Sequence, residues 1–278
     1  HIAYYMITML GIGLMAILII LPLLAASVFR VDALKTVFAA LVKMLVRVGV
    51  LGAAVYYLVE AGSVWLDVVF ALVFIVYTII TVIVQAKLSV RTYLLPVCAG
   101  MFVALLVTGG LLYFINHLAD RGLSGHFLLP VIALLSGSMV EPMAHSLSVY
   151  YMGLRHHNHL YYYLLGNGAT LSEALNYLMK RAIEKSLVPG MRQMSGLVVG
   201  CSPVLMWTMI MCGVPVPDAA FFQVLIVLAV FAATVLSVVV AVWTARRYVV
   251  DGYARIKSEA VKLDNVTEQN IENNEQNI

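Results

Sequence analysis

The sequence predicts an all-α integral membrane protein with about seven transmembrane helices. Hydrophobic residues make up 63% of the 278 residues, charged residues make up 11%, and the mean hydropathy is +0.97. A soluble domain has roughly 45–50% apolar and about 25% charged residues. Apolar segments of about 20 residues, the length that crosses a bilayer, also recur along the chain. These observations exclude a soluble globular fold.

Seven apolar segments are long enough to be transmembrane helices. The predicted spans cover about residues 3–26, 41–60, 65–84, 93–115, 127–150, 191–212 and 219–244. We assign them to one transmembrane domain, residues 1–250. Residues 251–278 have few large apolar side chains after Ile256, so they are predicted to form a polar, disordered tail.

The distribution of Lys and Arg predicts the orientation of the spans, because basic residues concentrate in cytoplasmic loops. With seven spans, Arg121 falls on one side of the membrane and the other 16 of the 17 basic residues fall on the opposite side. We therefore expect the N-terminus outside and the C-terminus in the cytoplasm. The expected location is the inner (plasma) membrane of the cell, with multiple passes.

A polar, charged segment lies between the fifth and sixth predicted spans. Thr170-Leu-Ser-Glu173 matches a capping box and predicts that a helix begins there. Apolar residues then recur at spacings of three and four, which predicts an amphipathic helix with an apolar stripe at Leu171, Ala174, Leu175, Leu178, Ala182, Ile183 and Leu187. Pro189-Gly190 predicts the end of this helix. A helix lying on the membrane surface and a helix that docks a partner both fit this pattern.

The order of residues in this segment resembles the cytoplasmic loop of ABC-transporter permeases. In those proteins a short coupling helix docks in a groove of the ATP-hydrolysing subunit. Gly168-Ala-Thr170, Glu173-Ala174, a basic amphipathic helix and then Pro189 are similar to the Fet-type iron-export permeases, the family that also includes the plant aluminium-sensitivity permease. The resemblance runs from about Leu129-Pro130 to Arg247. It places ATPase coupling, within a cytoplasmic segment of about residues 152–190, at Gly166, Gly168, Ala169, Thr170, Glu173, Ala174 and Arg181.

The resemblance implies a permease subunit, working as a homodimer, that exports a metal ion such as iron. The sequence contains no G-x-x-x-x-G-K-[ST] motif, so a separate ATP-binding subunit is expected to hydrolyse the ATP. We therefore expect a protein that is not an enzyme by itself, holds no tightly bound cofactor and does not bind nucleic acid. The alternative is a non-transporting membrane scaffold or sensor whose amphipathic helix docks another partner.

Glu141 is an acidic residue well inside a predicted span, where a charge is costly unless it is paired or neutralised. His145 follows four residues later on the same helical face, Pro142 lies between them, and Met139 and Met143 flank the pair. A substrate or proton site, with Glu141 and His145 as tentative metal ligands, is one interpretation. A hydrogen-bonded pair that packs helices together, within the chain or across a dimer axis, is the other.

The sixth predicted span contains a kink motif and sulfur-bearing side chains. Cys201-Ser202-Pro203 predicts the kink, and Met206 and Met209 follow it. Soft sulfur ligands suit soft or borderline metals, so these five residues join the candidate substrate pathway. Packing against lipid or neighbouring helices is the alternative for each methionine.

A histidine-rich segment, Arg155-His-His-Asn-His159, follows the fifth predicted span. It fits a point where a metal enters or leaves the pathway, and it also fits an interfacial belt of His and Tyr. One histidine box of a di-iron oxygenase is a third interpretation. That chemistry needs several boxes, and the seven histidines of the chain are too few to supply them.

Overall fold

The computed structural model describes residues 34–88, 90–118, 128–156, 158–198 and 202–249. Every secondary-structure element within these ranges is helical. In chain order they are α1 (Leu34–Ala61), α2 (Val64–Ala86), α3 (Val90–Ala104), a π-helical turn (Leu105–Gly109), α4 (Gly110–Leu118), α5 (Leu128–His156), α6 (Asn158–Gly166), α7 (Leu171–Ser195), α8 (Val204–Met211) and α9 (Val216–Val249). The predicted first span, the predicted tail and Cys201 lie outside the described residues.

Four helical segments are long and apolar enough to cross a membrane. They are Phe38–Leu58, Trp65–Ala86, Thr92–Ile115 and Val216–Val249, which correspond to the second, third, fourth and seventh predicted spans. The chain is therefore a multi-pass membrane protein by the length and composition of its helices. The count of seven spans and the orientation of the termini stay predictions.

The fifth predicted span corresponds to α5, a continuous helix of 29 residues that is not one of these four segments, so this span stays a prediction. The helix begins at Leu128, close to the predicted start of the span, and ends at His156, six residues after the predicted end at Tyr150. Pro142 lies inside this helix and does not end it. The additional residues include Arg155.

The sixth predicted span is wrong as a single helix. Residues 191–195 are the last turn of α7, and α8 is only eight residues long. The described backbone between them leaves the helical path, since Gly196 ends α7 and Val198 has a positive φ of 83°. Pro203 precedes α8 and has no backbone N–H to continue a helix from the preceding residues.

The predicted helix end at Pro189-Gly190 is also wrong, because α7 continues through both residues to Ser195. A proline inside a helix removes one backbone hydrogen bond and favours a bend. A Cβ added to Gly190 would lie 3.6 Å from the Phe231 ring of α9, at ordinary van der Waals distance.

The chain divides into two units, residues 1–63 and residues 64–278. In the described part of the first unit, α1 is a single helix of 28 residues with exposed apolar side chains such as Phe38 and Val50. Such a surface suits contact with lipid.

In the second unit, α9 packs along α3 and α5, while α5 also packs against α2 and α7. Small residues permit the closest of these approaches. A Cβ added to Gly100 would lie 2.6 Å from the Ser237 carbonyl oxygen and 3.0 Å from Ala241 Cβ. Close backbone contact through small residues is the usual way in which membrane helices associate.

Candidate transport groove and coupling segment

A groove of about 740 Å³ lies between α5, α7, the start of α8 and α9. Aliphatic and aromatic side chains form most of its walls, among them Leu134, Leu187, Leu205, Ile226, Val230 and Phe231. Polar side chains from α5, α7, α9 and the segment before α8 include Ser138, Glu141, His145, Gln193, Ser202 and Gln223. A pocket of this size that combines apolar walls with a few polar groups is typical of a binding site for a small molecule.

Glu141 and His145 both line the groove and are both exposed. They lie one helical turn apart on α5, as predicted from their spacing. Within the part of the chain that the structure describes, neither side chain makes a hydrogen bond or an ion pair. Both interpretations of the pair stay predictions, since a packing contact across a dimer axis would involve a second copy of the chain.

Pro142 lies next to Glu141 on the groove wall. Because proline has no N–H, the carbonyl of Ser138 loses its usual helical partner four residues on. The Ser138 hydroxyl donates to the Leu135 carbonyl at 2.8 Å, so this side chain already has a partner within its own helix. Pro142 thus adds a backbone acceptor to the surroundings of Glu141.

The other predicted pathway residues lie in different places. Met139 and Met143 are fully buried in the core between helices and do not line the groove. Ser202 lines the groove. Pro203 is buried, and the Met206 and Met209 side chains are half-buried; none of the three belongs to the groove lining.

Sequence reasoning missed the part that Gln223 plays in this site. Its side chain is 8% exposed, and its Oε1 accepts a hydrogen bond from the Met206 backbone N–H at 3.0 Å. Pro203, at the N-cap of α8, provides no side-chain cap. Gln223 therefore satisfies one of the free N–H groups that every helix start presents. The signal available in the sequence was an amide side chain within a long apolar segment.

The predicted coupling segment is a tightly built connection between α6 and α7. Gly168 has a φ of +86°, and the amides of Gly168 and Ala169 donate to the carbonyls of Leu165 and Leu164 at 3.1 and 3.0 Å. These two bonds with a left-handed glycine form a Schellman motif, which ends α6. A residue with a Cβ is strained in this conformation, so glycine is required here.

The capping box predicted at the start of α7 is confirmed. The Thr170 Oγ1 accepts from the Glu173 backbone N–H at 3.4 Å, and the Thr170 backbone N–H donates to Glu173 Oε2 at 2.8 Å. Ala169 is thus the one residue between the Schellman glycine and the cap. The Schellman motif on one side of Ala169 and the capping box on the other together fix the direction in which α7 leaves the loop.

Acidification should weaken this cap. The hydrogen bonds from the Thr170 backbone and then from its side chain hold the pKa of Glu173 below its ordinary value of 4.5. A carboxylate with a lowered folded-state pKa contributes stability above its unfolded pKa, and this contribution is lost as the pH falls through the folded pKa. We expect hydrogen-exchange protection of the Thr170 amide, corrected for the intrinsic exchange rate, to fall as the pH is lowered from 4.5.

The control for the acid effect is Glu173→Gln. The glutamine can still accept from the Thr170 N–H but does not titrate in this range. Its protection at Thr170 should be independent of pH between about 3 and 6. Equal pH dependence in the two proteins would show that Glu173 is not the titrating group.

The apolar stripe of α7 packs inside the protein. Ala174, Leu175, Leu178 and Ala182 are all at most 4% exposed and belong to the core shared with α5 and α9. Leu171, at the start of the stripe, is 39% exposed. The interpretation as a helix lying on the membrane surface is therefore wrong for this face, because protein rather than lipid covers it.

The opposite face of α7 is exposed and polar. Lys180 and Glu184 form an exposed ion pair at 3.7 Å on this face. Glu173, Asn176 and Arg181 are also exposed, while Ala174 faces the core. The predicted coupling residues therefore split into a set that holds α7 in the bundle and a set that is available at the surface.

One uninterrupted helix connects the coupling segment with the groove. α7 begins directly after Thr170, and its C-terminal half contributes Ser186, Leu187, Gln193 and other groove residues. At about 1.5 Å per residue, Glu173 and Gln193 lie roughly 30 Å apart along this helix. A displacement of the helix start thus has a direct mechanical route to the groove wall.

The histidine-rich segment contributes no metal site within the described residues. Arg155 is half-buried and His159 is exposed, while His157 and the side chain of His156 lie outside the described set. No group of three or more His, Cys, Asp or Glu side chains in the described part of the chain is arranged to hold a metal ion.

The fold and the groove define a class of protein: a multi-pass membrane protein, helical throughout its described residues, in which one long helix connects a groove to a capped loop. The chain belongs to the uncharacterised protein family UPF0014, whose family profile matches residues 9–250. Neither a curated protein nor a solved structure matches the chain. The family match includes the whole region from Leu129 to Arg247 that carries the permease resemblance.

Proposed function

We propose that this chain is the membrane-spanning permease subunit of an ABC transporter. A separate ATP-binding subunit docks on the segment from Gly166 to Ala174, and two copies of the chain form the transport unit in the inner membrane. The observation that carries the proposal is the continuity of α7, which joins the capped loop to the groove in a single helix. Membership of UPF0014 and the apolar helices are compatible with this role.

The mechanism depends on the rigidity of α7. When the ATP-binding subunits close, they displace the loop that holds Gly168 and Thr170. The capping box and the buried stripe hold the part of α7 before Pro189 as one body, so Ser186 and Leu187 in the groove wall move with the helix start. Pro189, which lacks a backbone N–H, is the point where α7 bends most easily. Such a bend opens the groove alternately to the two sides of the membrane.

The resemblance implies export and a metal ion such as iron as the substrate. Glu141 and His145 are the two groove side chains whose chemistry suits iron. The described residues place no third His, Cys, Asp or Glu beside these two to complete a metal site. The proposal is therefore that the chain is a permease, and the identity of the substrate is a separate question about the groove.

The first experiment is co-purification of this protein with the ATPase subunit encoded nearest to its gene. One variant replaces residues 166–176 with a Gly/Ser linker of equal length. The matched control is Gly110→Ala in α4, where an added Cβ meets nothing within 4 Å. We expect the ATPase to bind the wild type and the control and to be lost from the linker variant. If it binds neither wild type nor control, the scaffold or sensor function replaces the permease proposal.

Glu141→Ala should abolish the stimulation of ATP hydrolysis by substrate, because it removes the charged group of the groove. Assembly with the ATPase should be retained, since Glu141 lies on α5, away from the docking loop. The measurement is ATP hydrolysis by the reconstituted complex, with and without candidate substrates that include Fe²⁺.

Met139→Leu is the control for the groove assignment. Met139 lies two residues from Glu141 but is buried in the core, and a volume-conserving exchange there costs less than about 1.5 kcal/mol. We expect normal stimulation in this variant. Normal stimulation in Glu141→Ala as well would exclude Glu141 from the pathway.

A further inference from the structure

Within the described part of the chain, the groove contains a negative charge that no basic side chain balances. Among the described residues that line it, Glu141 carries the only formal charge when His145 is neutral, and Lys and Arg are absent. Glu141 also lacks an ion-pair partner elsewhere in the described ranges. A charged side chain in a membrane protein is favoured when an opposite charge pairs with it. A cationic ligand provides the missing charge.

The size and the donors of the groove favour a ligand much larger than a bare metal ion. Its volume of about 740 Å³ falls within the range of roughly 300–1,000 Å³ that is usual for drug-sized molecules. A tightly held transition metal takes about three or more protein ligands, whereas Glu141 and His145 are one short of that number in the described part of the chain. Water would fill most of the remaining space around a single ion.

The walls of the groove specify an apolar body for the ligand. Leu134, Leu187 and Phe231 lie on three different helices around it. Several of the remaining polar groups already have internal partners. Thr234 donates to the Val230 carbonyl at 2.8 Å, Ser186 donates to the Ile183 carbonyl at 3.0 Å, and Gln223 accepts from Met206. Glu141, His145, Gln193 and Ser202 are left as the groups that can orient a ligand.

We propose that the groove binds an organic cation with an apolar body, whose charge pairs with the Glu141 carboxylate. His145 and Gln193 supply hydrogen bonds when the ligand has polar substituents. The inference deepens the proposed function, because such a cation would be the substrate of the permease. Binding itself requires only this chain and no ATPase.

The test measures binding of radiolabelled tetraphenylphosphonium to the full chain in lipid nanodiscs without any ATPase. This probe has one positive charge and four aromatic rings. We expect saturable binding, weakened at least tenfold by Glu141→Gln, which keeps the size of the side chain and removes its charge.

A second variant tests the volume of the groove separately from its charge. Gly137 lines the groove, and a Cβ added there meets nothing within 4 Å, so Gly137→Trp should fill the groove without a clash at Cβ. Gly110→Trp is the matched control, because Gly110 is equally open and lies outside the groove. We expect binding to be lost in the first and retained in the second.

Three results would overturn the inference. One is equal binding in the wild type, Glu141→Gln and Gly137→Trp. Another is binding of Fe²⁺ or Mn²⁺ that requires Glu141 and His145, without binding of tetraphenylphosphonium. The third is a change from dimer to monomer in Gly137→Trp with unchanged binding, which would assign the groove to a second copy of the chain. In each case, co-purification of the ATPase with wild-type protein would leave the permease role standing.

Discussion

Gly100→Leu should disrupt the packing of α3 against α9 and sharply lower the stability of the protein. Even the first carbon of a side chain at Gly100 would lie 2.6 Å from the Ser237 carbonyl oxygen, which is part of the α9 backbone and cannot rotate away. Ala241 Cβ and Met143 Cε, at 3.0 and 3.2 Å, close the remaining space. Overpacking of a core costs about 1–3 kcal/mol, and a leucine against backbone should reach the upper end.

The measurement is the thermal unfolding midpoint of the protein in detergent, with the yield of monodisperse protein as a second readout. Gly110→Leu is the control, because an added Cβ at Gly110 meets nothing within 4 Å. It should unfold near the wild-type temperature. A Gly100→Leu protein as stable as this control would mean that α3 and α9 do not approach each other as closely as described.

The features that were predicted well from the sequence are local ones. The capping box depends on residues three apart, so Thr170 and Glu173 were sufficient to predict where α7 begins. The long apolar helices were likewise predicted by composition over about 20 residues. Neither feature needs information from a distant part of the chain.

The features that were predicted poorly depend on packing. Pro189 and Gly190 are local signals for the end of a helix, but α7, which packs against α5 and α9, continues through both to Ser195. The cap that Gln223 provides for α8 joins residues 17 positions apart. No spacing rule within one helix indicates such a bond.

Met139 and Met143 lie on the opposite side of α5 from Glu141, although they are close to it in the sequence. Residues two apart on an α-helix point about 200° away from each other, because each residue turns the helix by about 100°. If Glu141 faces a groove, Met139 and Met143 face the opposite side, and both are indeed buried in the core. Periodicity within α5 contained this information, whereas adjacency in sequence was misleading.

Weakening α7 in its middle should separate ATP-driven motion from the groove while leaving the docking loop intact. Lys180 and Glu184 lie between the cap and the groove, and their side chains are 76% and 63% exposed. The double variant Lys180→Gly with Glu184→Gly places two glycines in one turn and costs about 1 kcal/mol of helix stability for each. If α7 transmits the motion as a rigid body, this local flexibility should absorb it.

The readout follows the groove directly and does not require a known substrate. Ser138→Cys places a thiol on the groove wall in a chain whose native cysteines, Cys98, Cys201 and Cys212, are replaced by alanine. In the assembled complex, ATP should change the rate at which a soluble thiol reagent labels residue 138. Since about 1.4 kcal/mol corresponds to a factor of ten, we expect the glycine pair to reduce this ATP effect roughly tenfold or more.

The matched control is Lys180→Ala with Glu184→Ala. It removes the same two charges and their 3.7 Å ion pair but keeps the helix, because alanine has the highest helix propensity. The alanine pair should therefore retain the ATP effect, and both variants should bind the ATPase as the wild type does. An ATP effect of equal size in the two variants would mean that motion reaches the groove without a rigid α7, through its neighbours α5 and α9 instead. A loss in both would instead assign the effect to the charged face of α7 and not to the stiffness of the helix.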